Sequence, residues 1–302
     1  MLPDFLSSPF QEPALSTLWT RTFVNAYALV QLGIVFFLFT EILKRLPFQR
    51  KHNFKLAHSE RPFFNAEIKS DVLWPLLTWI ILLPAFYLLT LTGIEAFLTP
   101  YVPKHRVQAF VLTLPFWVQV LVASVVLDLA LYVRHRFVHL YAWPYHIIHH
   151  SAKEITWTTW LRLHPGDSFI MGLINVSILW VLGFDAPAMV TAQLLFSYAN
   201  SFNHANIQLD YGSPLRYIFV SPNMHRWHHG TTEEALNKNF CIIWAWIDIL
   251  FGTFYLPPFE LPERYGAFDE DGEDCVGPTW LDQFFYPFRA HWKTLQTFLA
   301  RH

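Results

Sequence analysis

Apolar positions along this chain come in long unbroken blocks, not in the short alternations of a soluble domain. Residues 22–40, 73–94 and 107–127 contain no charge, and at about 1.5 Å per residue each is long enough to cross roughly 30 Å of hydrocarbon. Pro75, Pro84 and Pro115 fall inside two of them, which a membrane helix tolerates where its neighbours satisfy the freed carbonyls. A fourth block, 168–203, carries one charge, Asp185, in a GFDAP break; the break predicts a short helical hairpin of two tilted or re-entrant arms. Residues 240–256, FCIIWAWIDILFGTFYL, hold Asp248 among aromatics and predict an interfacial or groove-lining helix instead of a further span.

The polar segments orient these blocks. Lys44, Arg45, Arg50, Lys51, Lys55, Arg61 and Lys69 lie between the first two spans, against Lys104 and Arg106 between the second and third. Short loops rich in Lys and Arg stay on the cytoplasmic side, so the first loop is cytoplasmic and the third span returns the chain to that face at Arg134. The pattern therefore predicts an all-α integral membrane protein with about four transmembrane helices, the last pair a short hairpin, and a cytoplasmic histidine-rich helical cap. Its parts are an N-terminal segment, 1–21; three transmembrane helices with a basic loop, 22–133; a histidine-rich region, 134–258, that includes the hairpin 168–203; and a cytoplasmic tail, 259–302, with FDEDGED as a solvated loop.

Composition agrees: 53% hydrophobic against 15% charged residues is too apolar for an ordinary soluble domain. A net charge of -2 argues against nucleic acid as a partner. Cys241 and Cys275, the two cysteines, form neither a disulfide framework nor a CxxC pair. The N-terminus lacks the basic region and cleavage site of a secretory signal, so the first apolar block is expected to stay as an anchor.

Histidine changes the picture. Of 15 in the chain, ten lie between 135 and 229. His135 and His139 form HxxxH; His146, His149 and His150 form HxxHH; His225, His228 and His229 form a second HxxHH; His164 and His204 stand in LRLHPGD and FNHANIQ. On a helix, positions i, i+3 and i+4 share a face, so each motif can aim its rings at one point. Neutral imidazole offers a lone pair at neutral pH, and eight to ten such rings exceed the needs of one tetrahedral zinc. They suit two metals, among which ligand type alone leaves iron, copper, zinc and nickel open. A carboxylate-based di-iron bundle would need ExxH motifs, and the chain has none. Asp128, two turns before His135, reads equally as a ring acceptor or a span-end anchor, and stays outside the site; Asn200, Asn203 and Asn206 read rather as caps at the hairpin end, and Trp157 and Trp160 as substrate-entrance or belt residues. A metal transporter would place ligands near midspan, a haem protein needs one or two axial ligands, and a non-catalytic lipid-binding scaffold explains the aromatics and not the motifs; a metal transporter or a non-catalytic metal-binding membrane protein stays as the alternative to an enzyme.

In order, HRFVH, HIIHHS, LRLHPGD, FNHANIQ, MHRWHHG, KNF and DILFGTFYLP resemble the fatty acid hydroxylase and sterol desaturase superfamily of membrane di-iron oxygenases. Across roughly 110–258 the resemblance implies that His135, His139, His146, His149, His150, His225, His228 and His229 hold two iron ions, which zinc can replace in purified protein, with His204 and, more weakly, His164 as further ligand candidates. It also implies O2 as co-substrate and a membrane lipid (fatty acyl, alkyl or sterol-like) as the molecule hydroxylated or desaturated. No cytochrome b5-like module is visible at either end. Electrons are therefore expected from a separate donor, a cytochrome b5-like protein, a ferredoxin or a reductase, in a bacterial inner membrane or the endoplasmic reticulum.

Overall fold

The computed structural model describes residues 69–75 and 104–301, apart from 259, 270 and 278. The block 22–40, most of the basic loop and residues 76–94 lie outside the described residues. Residues 69–75 are helical. Then follow α1 (Lys104–Thr113), α2 (Phe116–Tyr141), α3 (Trp143–His150), α4 (Pro165–Leu182), α5 (Ala186–Asn203), α6 (Pro222–His228), α7 (Ala245–Leu250) and α8 (Trp280–Ala300), with single 3₁₀ turns at Thr159–Leu161, Leu215–Tyr217 and Glu233–Ala235. Among the described residues there is no strand beyond isolated bridges such as Phe219 with Trp244.

The third apolar block is not one helix. It breaks at Leu114, and Pro115 (φ −54°, ψ 146°) caps a new helix, α2. Proline pushes the preceding residue out of the helical region and has no N–H to continue the ladder. From there α2 runs past the expected end at residue 127 and carries Asp128, Arg134, His135 and His139 on its last turns. Among the described residues α2 is the one helix long and apolar enough to cross a membrane. One side packs Val120, Ala123 and Leu127 against Val111 of α1 and Phe184, Ala188 and Ala192 at and after the hairpin turn. The other side leaves Trp117, Leu121, Val133 and Phe137 exposed.

The predicted hairpin is present as α4 and α5, both packed along α2. Gly183 turns between them at φ +71°, where a β-carbon would also collide with the side chain of Gln108; a left-handed glycine is the usual way to stop a helix. Residues 240–256 form less helix than expected: only α7 winds, and Phe240–Trp244 is a non-helical segment, bent at Ile242 and Ile243, pinned by carboxylates. Asp128 accepts the N–H groups of Ile242, Ile243 and Trp244 at 2.9, 2.9 and 2.6 Å, and Asp248 those of Phe240 and Cys241 at 2.9 and 3.0 Å. Asp128 is thus neither a ring acceptor nor a span-end anchor, but the clamp of this segment. Part of the expected tail is also helical: α8 starts at a reciprocal cap between Thr279 and Asp282.

Candidate metal centre

Four helix ends converge beneath α2, α4 and α5. The last turns of α2 bring His135 and His139, the short α3 brings His146, His149 and His150, and His204 caps the C-terminus of α5. The third motif sits on α6, started by Ser221, whose hydroxyl accepts the N–H of Met224; His225 and His228 lie on the helix and His229 caps it. Asn239, at φ +58°, holds this helix in place: its amide donates to the carbonyls of Met224 and Tyr255 at 2.9 and 2.6 Å.

The rings assemble into two groups, and in each the potential ligand atoms all lie within 4.8 Å of one another. His135, His139, His146, His150 and His228 form one; His149, His204, His225 and His229 form the other. Each HxxHH motif is therefore split instead of aiming at a single point. Its i, i+4 pair serves one group and the remaining histidine the other, with the allocation reversed between α3 and α6.

Outer hydrogen bonds fix the tautomers. Nδ1–H of His135 donates to the carbonyl of Phe240, that of His228 to Lys238 (both 2.8 Å), and that of His204 to Asn200 at 2.7 Å. His146 Nδ1–H donates to Asp167 at 2.8 Å, and the same carboxylate pairs with the buried Arg134. With the proton on Nδ1, each Nε2 presents a lone pair inward. His135 Nε2 and His146 Nε2 then face each other at 3.0 Å with no proton between them. In the second group His204 Nε2 is approached by the Nε2 atoms of His225, His229 and His149 at 2.9, 3.2 and 3.3 Å, more neighbours than one lone pair can serve by hydrogen bonding. His139 Nε2, His150 Nε2 and His228 Nε2, with Nδ1 of His149, His225 and His229, are buried without hydrogen-bond partners. Buried orphan nitrogens cost about 1–3 kcal/mol each, and facing lone pairs repel; a cation held between them removes the repulsion. The residues present fit a metal in each group.

Burial, reinforced by neighbouring rings, holds His146, His149, His150, His225 and His229 well below the usual histidine range. Burial also takes His228 down to about 4 and His204 to about 3, against opposing carbonyl bonds. These rings are neutral at pH 7, as metal ligation requires. Because each folded-state value lies below the unfolded value of about 6.5, the unfolded chain binds more protons as pH falls. Chelator-stripped protein in detergent is expected to keep full stability above pH 7. Its melting temperature should then fall steeply from about pH 6.5 toward the values near 4 and 3 given above; a flat profile over that window would contradict the buried neutral cluster.

His164, a ligand candidate in sequence, lies outside both groups. Its Nε2–H donates to the carbonyl of Phe284 in α8 at 3.1 Å and its Nδ1 accepts the N–H of Gly166 at 3.0 Å. One ring nitrogen is thus engaged by the turn into α4 and the other by α8, so His164 latches the two together. Of the asparagines flanking His204, Asn200 holds its ring through the main-chain carbonyl, while the side chains of the other two are turned elsewhere: Asn203 donates to the carbonyl of Ile242 at 2.7 Å, and Asn206 accepts from Arg226 at 2.8 Å. Asp167 is the residue that sequence reading left without a role, although it stands in the LRLHPGD motif. The available signal was Arg134, a charge in an apolar helix directly before His135, which demands a buried counter-charge. Asp167→Asn is expected to weaken metal binding in the five-histidine group by about 10–100-fold and leave the four-histidine group unchanged, read by stepwise metal titration.

Nine imidazoles in two adjoining groups, set at helix ends under an apolar helix bundle, define a histidine-rich helical protein able to hold metal in two places. Residues 120–253 match the family described as fatty acid hydroxylase, and this match, with the curated relatives below, supports a place for this region in the fatty acid hydroxylase superfamily. Among curated proteins it is 31% identical over 149 residues to ornithine lipid hydroxylase OlsE of Rhizobium tropici, covering 48% of this chain and 44% of that protein. It is 27% identical over 170 residues to alkylglycerol monooxygenase of Caenorhabditis elegans, covering 56% and 32%, and 29% identical over 138 residues to the Homo sapiens alkylglycerol monooxygenase, covering 42% and 28%. The chain thus spans less than half the length of the curated relatives it matches. No solved structure matches it.

Proposed function

We propose that this protein is an integral-membrane, O2-dependent di-iron hydroxylase of a lipid, fed by a separate one-electron donor. The observation that carries the reading is the pair of imidazole groups with inward lone pairs, within a segment whose relatives are named as a lipid hydroxylase and a monooxygenase. Those names favour insertion of oxygen over removal of two hydrogens. They also favour a polar lipid with a long chain as substrate. The basic residues between the first two apolar blocks support a cytoplasmic face for the histidines of a multi-pass protein, in a bacterial inner membrane or the endoplasmic reticulum.

The five-histidine and four-histidine groups would each hold one iron, and the irons would supply activation of O2 for attack on an unactivated C–H bond. The balance is R–H + O2 + 2 electrons + 2 protons giving R–OH + H2O. The chain's own residues hold the rings: Asp167 and Arg134 set the plane of His146, and the carbonyls of Phe240, Lys238 and Asn200 set His135, His228 and His204. Burial of all nine except the half-buried His139 keeps bulk water from the reacting centre. The exposed apolar side chains of α2 and α5, among them Leu129, Val133, Val190 and Leu195, give a hydrocarbon chain a surface to lie against on its way from the bilayer.

Lipid extracts of cells expressing the wild type are expected to contain a species heavier than its precursor by one oxygen. It should be absent with His149→Ala at equal protein level. Unchanged lipids together with metal flux into vesicles would instead indicate a transporter.

A further inference from the structure

The C-terminal helix α8 carries a surface that the metal centre does not use. At about 100° per residue, Leu281, Phe285, Phe288, Trp292, Leu295 and Leu299 fall within a sector of roughly 80°, and all six are exposed, Trp292 at 60% and Leu299 at 63%. The helix is held to the body by another side. Gln283 accepts a hydrogen bond from the indole of Trp74 at 3.3 Å, Phe284 stacks on Trp280, and the carbonyl of Phe284 receives His164. That grip weakens along the helix: the His291 ring still lies 5.6 Å from that of Tyr145, yet residues 291–300 are all exposed. A helix end this exposed is marginal in water, and an exposed apolar stripe of this length marks an interaction surface.

Charge indicates what covers it. After Asp282 the chain has no acidic residue, whereas Arg289, Lys293 and Arg301 lie beside or opposite the stripe. Aromatic and leucine side chains on one face and cations flanking them are the pattern of a helix lying in the headgroup region of a bilayer, with the cations meeting anionic lipid. We propose that α8 is a membrane-surface helix whose Leu281–Leu299 stripe enters an anionic leaflet, holding the His164 loop, and through it Asp167 and the metal centre, at a set depth below the lipid headgroups. The inference rests on the membrane placement proposed above and not on the chemistry of the irons.

The test uses the full chain in a Cys275→Ser background, Cys241 being buried. A polarity-sensitive fluorophore is placed at Leu295→Cys on the stripe, at Thr297→Cys on the opposite side, or at Leu121→Cys on the exposed face of α2. The discs are phosphatidylcholine, with or without phosphatidylglycerol, and contain lipids brominated on the acyl chain. Quenching several-fold stronger at Leu295→Cys than at Thr297→Cys, greater with phosphatidylglycerol, and reduced to the neutral-disc level by Arg289→Gln with Lys293→Gln, is the expected result. Quenching at Leu121→Cys alone overturns the α8 inference while keeping the membrane reading; none at either position overturns both. Shielding of Leu295→Cys that appears in detergent and grows with protein concentration means that a second copy covers the stripe, and also overturns the inference.

Discussion

Replacing His204 with alanine is expected to halve the metal content, from about two per chain to about one, and to lower turnover by more than about 100-fold. Removing a partner of a ligand already costs about 10–100-fold, and His204 is the ring on which the other three of its group converge, at 2.9–3.3 Å. The five-histidine group shares no ring with it and should keep its metal. His164→Ala gives the contrast: both its nitrogens are engaged by Gly166 and Phe284, so two metals should remain. Metal analysis of the two purified variants, set against the wild type, separates them. A His164→Ala protein that loses a metal, or a His204→Ala protein that keeps two and turns over normally, would contradict the division of the histidines.

The second large effect falls on stability. Asp128→Ala removes the acceptor of three buried or half-buried backbone N–H groups, each charge-assisted bond contributing about 1.5–3 kcal/mol. A loss of about 3–6 kcal/mol is expected, since the freed segment can recover part of the cost by moving toward water. The damage should reach the site, because this segment carries Phe240, whose carbonyl sets the tautomer of His135. Thermal unfolding in detergent and amide exchange at residues 242–244 measure both consequences. Asp128→Asn, which keeps one acceptor oxygen, should fall between alanine and the wild type.

How much of this was legible in sequence differs from residue to residue. The histidine spacings announced a multi-ligand centre because i, i+3 and i+4 positions are neighbours on any helix. The split of each HxxHH between two groups was not legible, since it depends on how α3 and α6 are placed relative to each other. The engagement of His164 was not legible because a motif histidine and a turn histidine look alike until one nitrogen is seen on Gly166 and the other on Phe284 of α8. Asp128 and Asp167 were hard for a common reason: their partners lie 114–116 and 21 residues away, beyond the reach of any local pattern. The apolar hairpin announced itself through one glycine-bearing break, whereas Pro115 was read as a proline tolerated within one span, since the sequence alone does not say whether a proline kinks a helix or ends it. The helix α8 escaped because its stripe is interrupted by polar residues and by Pro287, which reads as a breaker and is buried within the helix.

The measurement closest to the central claim is the fate of isotopic oxygen. Iron-loaded protein in lipid discs, given the lipid precursor, a reducing system and ¹⁸O2, is predicted to yield a hydroxylated lipid carrying one ¹⁸O atom, at two irons per chain. Product oxygen drawn from water, or two bound irons with no lipid oxidised, would contradict it.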